Sequence, residues 1–253
     1  MGILVTKGMT KHFGGVKALE DVDLDIKEGT VHGLIGPNGS GKTTTFNVVS
    51  GVYAPTRGQI IFQGEDISGM KPHVIADKGI SRTFQIPKTM TKLSVLDNVM
   101  AGRYGRTNAD IGGTFFHLPF TKSKQEKEIE ARAMELLQFV GLEAKAKRMA
   151  GELAWADQQL LQIARAMAME PKLLLLDEPT SGMGMEESEK MEQIIAEIKS
   201  MGVTIILIAH DVKLVTRASD VVTAIEFGVK IAEGTPEEVK RHPKVVEAYL
   251  GTD

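Results

Sequence analysis

Gly36-Pro37-Asn38-Gly39-Ser40-Gly41-Lys42-Thr43 decides the fold of this chain. It matches G-x-x-x-x-G-K-[ST] at every fixed position. The run before it, Val31 to Ile35, is mostly apolar and reads as a buried strand. Lys42 to Val49 reads as a helix. Strand, glycine-rich loop and helix in that order make a cradle for a triphosphate. Backbone N–H groups must curl around the anion, and glycines allow the dihedrals and the close approach. The helix that follows points its positive end at the same anion. Lys42 supplies a mobile charge for the β- and γ-phosphates, and Thr43 a hydroxyl for Mg²⁺.

A second feature lies downstream. Four leucines, Leu173 to Leu176, run into Asp177 and Glu178. In open α/β sheets ligands bind beyond the carboxyl ends of the strands. Asp177 can there hold Mg²⁺ through its water shell, and Glu178 can orient or deprotonate an attacking water. A third apolar run, Val203 to Ala209, ends at His210-Asp211. Around these pieces the chain alternates. Leu24 and Ile26 sit among charged residues, and Ile60 to Phe62 follow the turn Pro55-Thr56-Arg57-Gly58, so both read as short strands. Gln125–Val140 carries Ile129, Ala133, Leu136, Leu137 and Val140 at helical spacing, with Gly141 placed as a C-cap. Met185–Ser200 places Met191, Ile194, Ile195 and Ile198 on one face. Strands alternating with helices predict a mostly parallel sheet covered on both faces. Residues 86–165 break that alternation and read as an inserted, mainly helical piece.

Composition narrows the function classes. The chain has 253 residues, 42% hydrophobic and 25% charged, as in ordinary globular proteins. A formal net charge of −3 gives no electrostatic case for wrapping nucleic acid. The absence of cysteine removes disulfides, thiolate zinc sites and thiol catalysis. No apolar stretch approaches the roughly 20 residues a membrane-spanning helix needs, and the first residues lack a signal-peptide core. The expectation is a soluble, cytoplasmic chain without direct membrane insertion.

Taken in order, these pieces resemble the nucleotide-binding subunit of an ATP-binding cassette (ABC) transporter, over nearly the whole chain. The resemblance implies a P-loop NTPase: a RecA-like α/β core with an antiparallel β region (1–85 and 166–253), and a helical subdomain (86–165). Phe13 matches the aromatic that stacks on adenine. Gly36 to Thr43, with Thr44 behind it, matches the Walker A loop. Gln85 matches the Q-loop, Leu173 to Glu178 the Walker B strand, Ser181 to Gly184 the D-loop and His210 the switch histidine. ATP and Mg²⁺ are the implied ligands, with Thr43, Gln85 and Asp177 around the metal. Glu178, His210 and Gln85 are the implied catalytic set. Two such subunits meet head to tail around two ATP molecules, and their motion passes to transmembrane permease subunits near Gln85. The implied position is peripheral, on the inner face of the cell membrane. Gly79 to Gln85, Leu93 to Val99 and the tail His242 to Gly251 are most similar to the importers of branched-chain amino acids. ATPases of lipid or lipopolysaccharide export share much of this pattern.

The chain departs from the family where L-S-G-G-Q is expected. Leu153-Ala154-Trp155-Ala156-Asp157 stands there, followed by Gln158. The serine hydroxyl is missing at Ala154. A methyl at Ala156 stands where a glycine N–H would approach phosphate, and could forbid the needed dihedrals. Gly184 replaces the usual D-loop acid. In the family these elements serve the partner's ATP, whereas Walker A, Walker B, Gln85 and His210 serve the chain's own. That asymmetry favours pairing with a different ATPase subunit over a homodimer. Trp155, the only tryptophan, is expected near the partner's nucleotide. The patch Phe115 to Phe120 fits core packing or a permease contact. Rival classes are a soluble ABC ATPase without a transporter, a small-molecule P-loop kinase and a regulatory module that never turns over. The chain lacks the long coiled coils or second cassette of the first and shows no acceptor site for the second.

Overall fold

The computed structural model describes residues 2–104, 124–209 and 212–250. The patch Phe115–Phe120 and His210-Asp211 lie outside the described residues. The chain divides into two compact units, Met1–Gln85 with Lys172–Asp253, and Ile86–Pro171.

The first unit holds two sheets. Strands β1 (Leu4–Phe13), β2 (Val16–Ile26), β4 (Arg57–Phe62) and β5 (Glu65–Asp66) form an antiparallel sheet in the order β2-β1-β4-β5. The second sheet has the order β10-β9-β3-β8-β7-β6. It is built from β3 (Val31–Ile35), β6 (Ile80–Arg82), β7 (Leu173–Asp177), β8 (Thr204–Ile208), β9 (Val221–Glu226) and β10 (Val229–Gly234). All its pairings are parallel except β10 on β9. Every residue of β3, β7 and β8 is buried. That explains their unbroken apolar runs, since a strand covered on both faces has no polar side to show. One core joins the two sheets through Leu4, Met9, Leu34, Phe46, Ile60, Leu175 and Ile206. Helices α1 (Lys42–Val49), α2 (Pro72–Asp77), α6 (Met185–Ser200), α7 (Val212–Ala218), α8 (Pro236–Arg241) and α9 (Pro243–Leu250) complete this unit. All four apolar positions expected on one face of α6 are buried.

The second unit contains α3 (Val95–Tyr104), α4 (Lys124–Val140) and α5 (Trp155–Met167). The five periodic positions of α4 are buried. Gly141 stands just past the helix with φ 75, and the Leu142 N–H reaches back to the Leu137 carbonyl, closing the end as its sequence position suggests. Helix α5 runs unbroken to Met167, so this unit closes at Pro171 and not at residue 165, where the sequence placed its edge. A boundary at 165 would cut a hydrogen-bonded helix.

His32 lies buried in β3, beside the phosphate loop in sequence. Its Nε2 is 2.8 Å from Thr223 Oγ1, and that hydroxyl donates to Glu233. The hydroxyl has one proton, so Nε2–H is the donor to it. Burial lowers the imidazole from 6.5 to about 4, against the pull of Glu233. Between these values the unfolded chain binds a proton that the native state refuses. Stability from this group is therefore full above pH 6.5 and is lost as pH falls toward 4, by about 3 kcal/mol in all. Urea unfolding at a series of pH values should show this loss, and His32→Gln should flatten it.

Candidate nucleotide site

The site is assembled at one edge of the parallel sheet. Strands β3, β6, β7 and β8 run in the same direction, so the loops at their carboxyl ends share that edge. The loop after β3 enters α1 through Gly41, in the left-handed region at φ 110. Gly36 takes φ 153, and a Cβ there would lie 2.0 Å from the Ile225 carbonyl oxygen. Only glycine fits that position. The Gly36 N–H donates to the Tyr249 hydroxyl at 2.9 Å, which ties helix α9 to the start of the loop. Lys42 is buried, and its Nζ donates to the Gly36 and Pro37 carbonyls at 2.7 and 2.9 Å. Burial lowers its pKa, while Glu178 and Asp177 push it back up. Ser40 Oγ is buried with no hydrogen-bond partner among the described residues. No acid occupies the first turn of α1, so nothing there cancels the helix dipole.

Around this loop lies a cleft of about 550 Å³. Asn38, Gly39, Ser40, Gly41, Lys42, Thr43 and Thr44 form its floor, with Gln85 and Glu178 among the other residues that line it. Glu178 leaves β7 in a left-handed conformation, φ 50, which few non-glycine residues adopt. Its N–H is held by the Ile208 carbonyl of β8 at 2.8 Å. Its carboxylate accepts from Gln85 Nε2 at 2.8 Å. Backbone strain of this kind collects at working sites. Asp177, one residue earlier, turns elsewhere. Its Oδ2 accepts from the Arg82 guanidinium at 2.9 Å, and both side chains are buried. Burial raises the Asp177 pKa, and Arg82 opposes that rise.

A phosphate loop, a buried lysine and a carboxylate paired with a glutamine now share one cleft. The model of the ABC transporter family matches residues 19–181. The chain belongs to the ABC transporter family. A second model, of branched-chain amino acid ATP-binding cassette transporters, matches residues 229–253 of this cassette. The cassette is 40% identical over 98% of each chain to the high-affinity branched-chain amino acid transport ATP-binding protein BraF of Pseudomonas aeruginosa. It is 39% identical to a probable branched-chain amino acid transport ATP-binding protein, LivG, of Archaeoglobus fulgidus, over 99% of this chain and 96% of the other. Among solved structures it resembles the ADP conformation of the ABC transporter cassette MJ1267, with TM-score 0.86 and 33% identity over the whole of both chains. It also resembles the dimeric post-hydrolysis cassette MJ0796 bound to ADP and phosphate, with TM-score 0.80 and 25% identity over 92% and 98% of the chains.

Not every expected residue of the cassette lines the cleft. Phe13 packs edge-on against Tyr53, with ring centroids 5.0 Å apart and Lys11 above both rings, and it is absent from the lining. Val16, at the other end of the same two-residue turn, is a lining residue. Asp177 is likewise absent from the lining. In the other unit, Ala154 caps α5 in extended conformation (φ −59, ψ 158). The helix starts at Trp155, so Ala156 lies inside it with helical backbone. The objection that a methyl at 156 forbids the required conformation therefore falls. Trp155 is exposed, as is Ala154. Gly184, in place of the D-loop acid, opens α6 with its N–H on the Glu187 carboxylate.

Sequence reasoning assigned no role to Arg82. Its guanidinium bonds Asn47, Ser50 and Asp177 and lies over the rings of Phe46 and Phe84. Its place three residues before Gln85 was the only signal available.

Proposed function

We propose that the cassette binds ATP on the loop 36–43 and hydrolyses it with Glu178 as the group that polarises the attacking water. The carrying observation is the cleft itself, where Lys42, Thr43, Gln85 and Glu178 face one volume. The loop N–H groups, the α1 dipole and Lys42 neutralise phosphate charge, which is the protein's main task in phosphoryl transfer. Gln85 holds the Glu178 carboxylate and orients it. Mg²⁺ suits the oxygen donors present: Thr43, with its hydroxyl, and Gln85, with its amide, line the cleft, and Asp177 stands next to Glu178 in the chain. The ion prefers phosphate and water oxygens with one or two protein groups. When bound it neutralises charge on the β- and γ-phosphates. His210 is assigned to the γ-phosphate by family position alone.

The energy of that reaction drives import of branched-chain or similarly apolar amino acids through transmembrane permease subunits. The tail match and the full-length relatives support this reading. Among the described residues no helix is long and apolar enough to cross a membrane, so the path for substrate belongs to other chains. The cassette sits on the cytoplasmic face and pairs with a second ATPase subunit. Its own ATP is served by complete motifs, while Ala154, Trp155 and Ala156 present only backbone N–H groups to the partner's. A subunit with an intact serine-bearing signature is the favoured partner.

Lys42→Ala should weaken ATP binding at least 100-fold, since it removes the one buried cation of the loop, and calorimetry reads this directly. Unchanged affinity would overturn the site. In membranes with the cognate permease, uptake of leucine, isoleucine and valine should require this chain and ATP. Uptake that persists without the chain would overturn the substrate class. Light scattering on Glu178→Gln protein with ATP separates a homodimer from a chain that waits for another partner.

A further inference from the structure

The turn between β9 and β10 carries Phe227 and Gly228 at its tip, with φ 45 and 78. Two successive positive φ values are the mark of a type I′ hairpin turn, for which Asn-Gly or Asp-Gly is strongly preferred. Gly228 meets the demand, since a Cβ there would lie 2.7 Å from the Ala18 carbonyl oxygen. Phe227 does not. A bulky side chain at positive φ is strained. Packing offers no compensation, because Phe227 is 81% exposed, the most of any large hydrophobic residue described. Neither the backbone nor the core accounts for a phenylalanine at this position.

The site accounts for it. Phe227 lines the nucleotide cleft, alongside Val16, Lys17 and Ala18. The turn that carries it is fixed at two points. The Gly228 N–H donates to the Ser40 carbonyl of the phosphate loop at 2.9 Å, and the Glu20 N–H of β2 donates to the Gly228 carbonyl at 2.8 Å. The backbone that carries the ring is therefore held in constant relation to the loop. Phosphate recognition has no use for an aromatic face, whereas a purine does. Phe13, expected against the adenine, meets Tyr53 edge-on and stays 42% exposed, so Phe227 enters as a further base contact in addition to it. Among the described residues Phe227 is the one aromatic that lines the cleft.

We propose that Phe227 is a base-contacting residue of the nucleotide site, packing against the adenine of ATP or ADP bound on the loop 36–43, with Val16 beside it. The proposal rests on the nucleotide-binding reading above and adds a residue that fixes the base rather than the phosphates.

Phe227→Asn tests it, because asparagine is what the turn prefers. The variant should unfold at the same urea concentration as the wild type or a higher one. Its affinity for ATP and ADP, measured by calorimetry, should fall about 5- to 100-fold, the range of base–aromatic stacking. Its affinity for inorganic tripolyphosphate should be unchanged, and Phe227→Tyr should retain nucleotide affinity. Equal loss for ATP and tripolyphosphate would mean the ring acts through loop shape, and would overturn the proposal. Unchanged ATP affinity would overturn it too. If that came with loss of an ATP-driven dimer, the ring would belong to the subunit contact instead. Wild-type protein that binds neither ATP nor tripolyphosphate would overturn the nucleotide reading itself, and this inference with it.

Discussion

Glu178→Gln should lower ATP turnover by about 10²–10⁴-fold, the range that a positioned proton-accepting group contributes, while ATP affinity stays within a few-fold of the wild type. The structure explains why the two effects separate. The Gln85 Nε2 donor at 2.8 Å can bond an amide oxygen as well as a carboxylate oxygen, so the side chain keeps its place. The N–H of residue 178 stays on Ile208, and the left-handed turn out of β7 is unchanged. Lys42 loses one of the two acids that raise its pKa but keeps Asp177. What disappears is the negative oxygen in the cleft that a water can use. Steady-state phosphate release together with calorimetric titration checks both halves. Turnover near the wild-type rate would remove Glu178 from the role, and a parallel collapse of affinity would make it a structural residue of the cleft.

The parts of the cassette that sequence made legible are those in which neighbours in the chain are neighbours in the site. The phosphate loop is eight consecutive residues between a strand and a helix, and both elements carry the periodicity that identifies them. The apolar positions of α4 and α6 fall on single faces and are buried as expected. The mostly parallel sheet follows from the doubly apolar strands. Legibility stops where partners are distant. Arg82 meets Asp177 across 95 residues, and nothing local marks the pair. Tyr53 meets the ring of Phe13 edge-on from a segment 40 residues away, a contact that nothing local in the sequence announces. Phe227 was passed over because a turn residue beside a glycine draws no attention until its φ and its exposure are known. The start of α5 is weakly marked in the sequence, because Ala154 caps it in extended conformation without a side-chain acceptor.

Arg82→Met should destabilise the cassette by about 3–5 kcal/mol, the loss that follows when one partner of a buried ion pair is removed. The guanidinium is 8% exposed and the carboxylate 3%. Burial already raises the Asp177 pKa, and the Arg82 hydrogen bond is the largest force opposing that rise. Without it the carboxyl would be held in a low-dielectric setting with only Lys42 nearby as counter-charge, and its pKa would rise further. Asn47 and Ser50 would lose a donor as well. Arg82→Lys should fall between the two, because it keeps a charge but not the planar fork or the contact with the rings of Phe46 and Phe84. Urea unfolding measures the series. The decisive member is the double variant Arg82→Met with Asp177→Leu. Two apolar side chains in place of a buried ion pair are often neutral or better for stability, so this protein should recover most of the loss and fold well. It should nonetheless hydrolyse ATP no faster than background, since Asp177 would no longer stand behind the cleft. Recovery of stability without recovery of turnover would show that the pair is kept for the reaction. A double variant as unstable as Arg82→Met alone would mean that Arg82 acts mainly through Asn47, Ser50 and the aromatic rings, with Asp177 a minor partner.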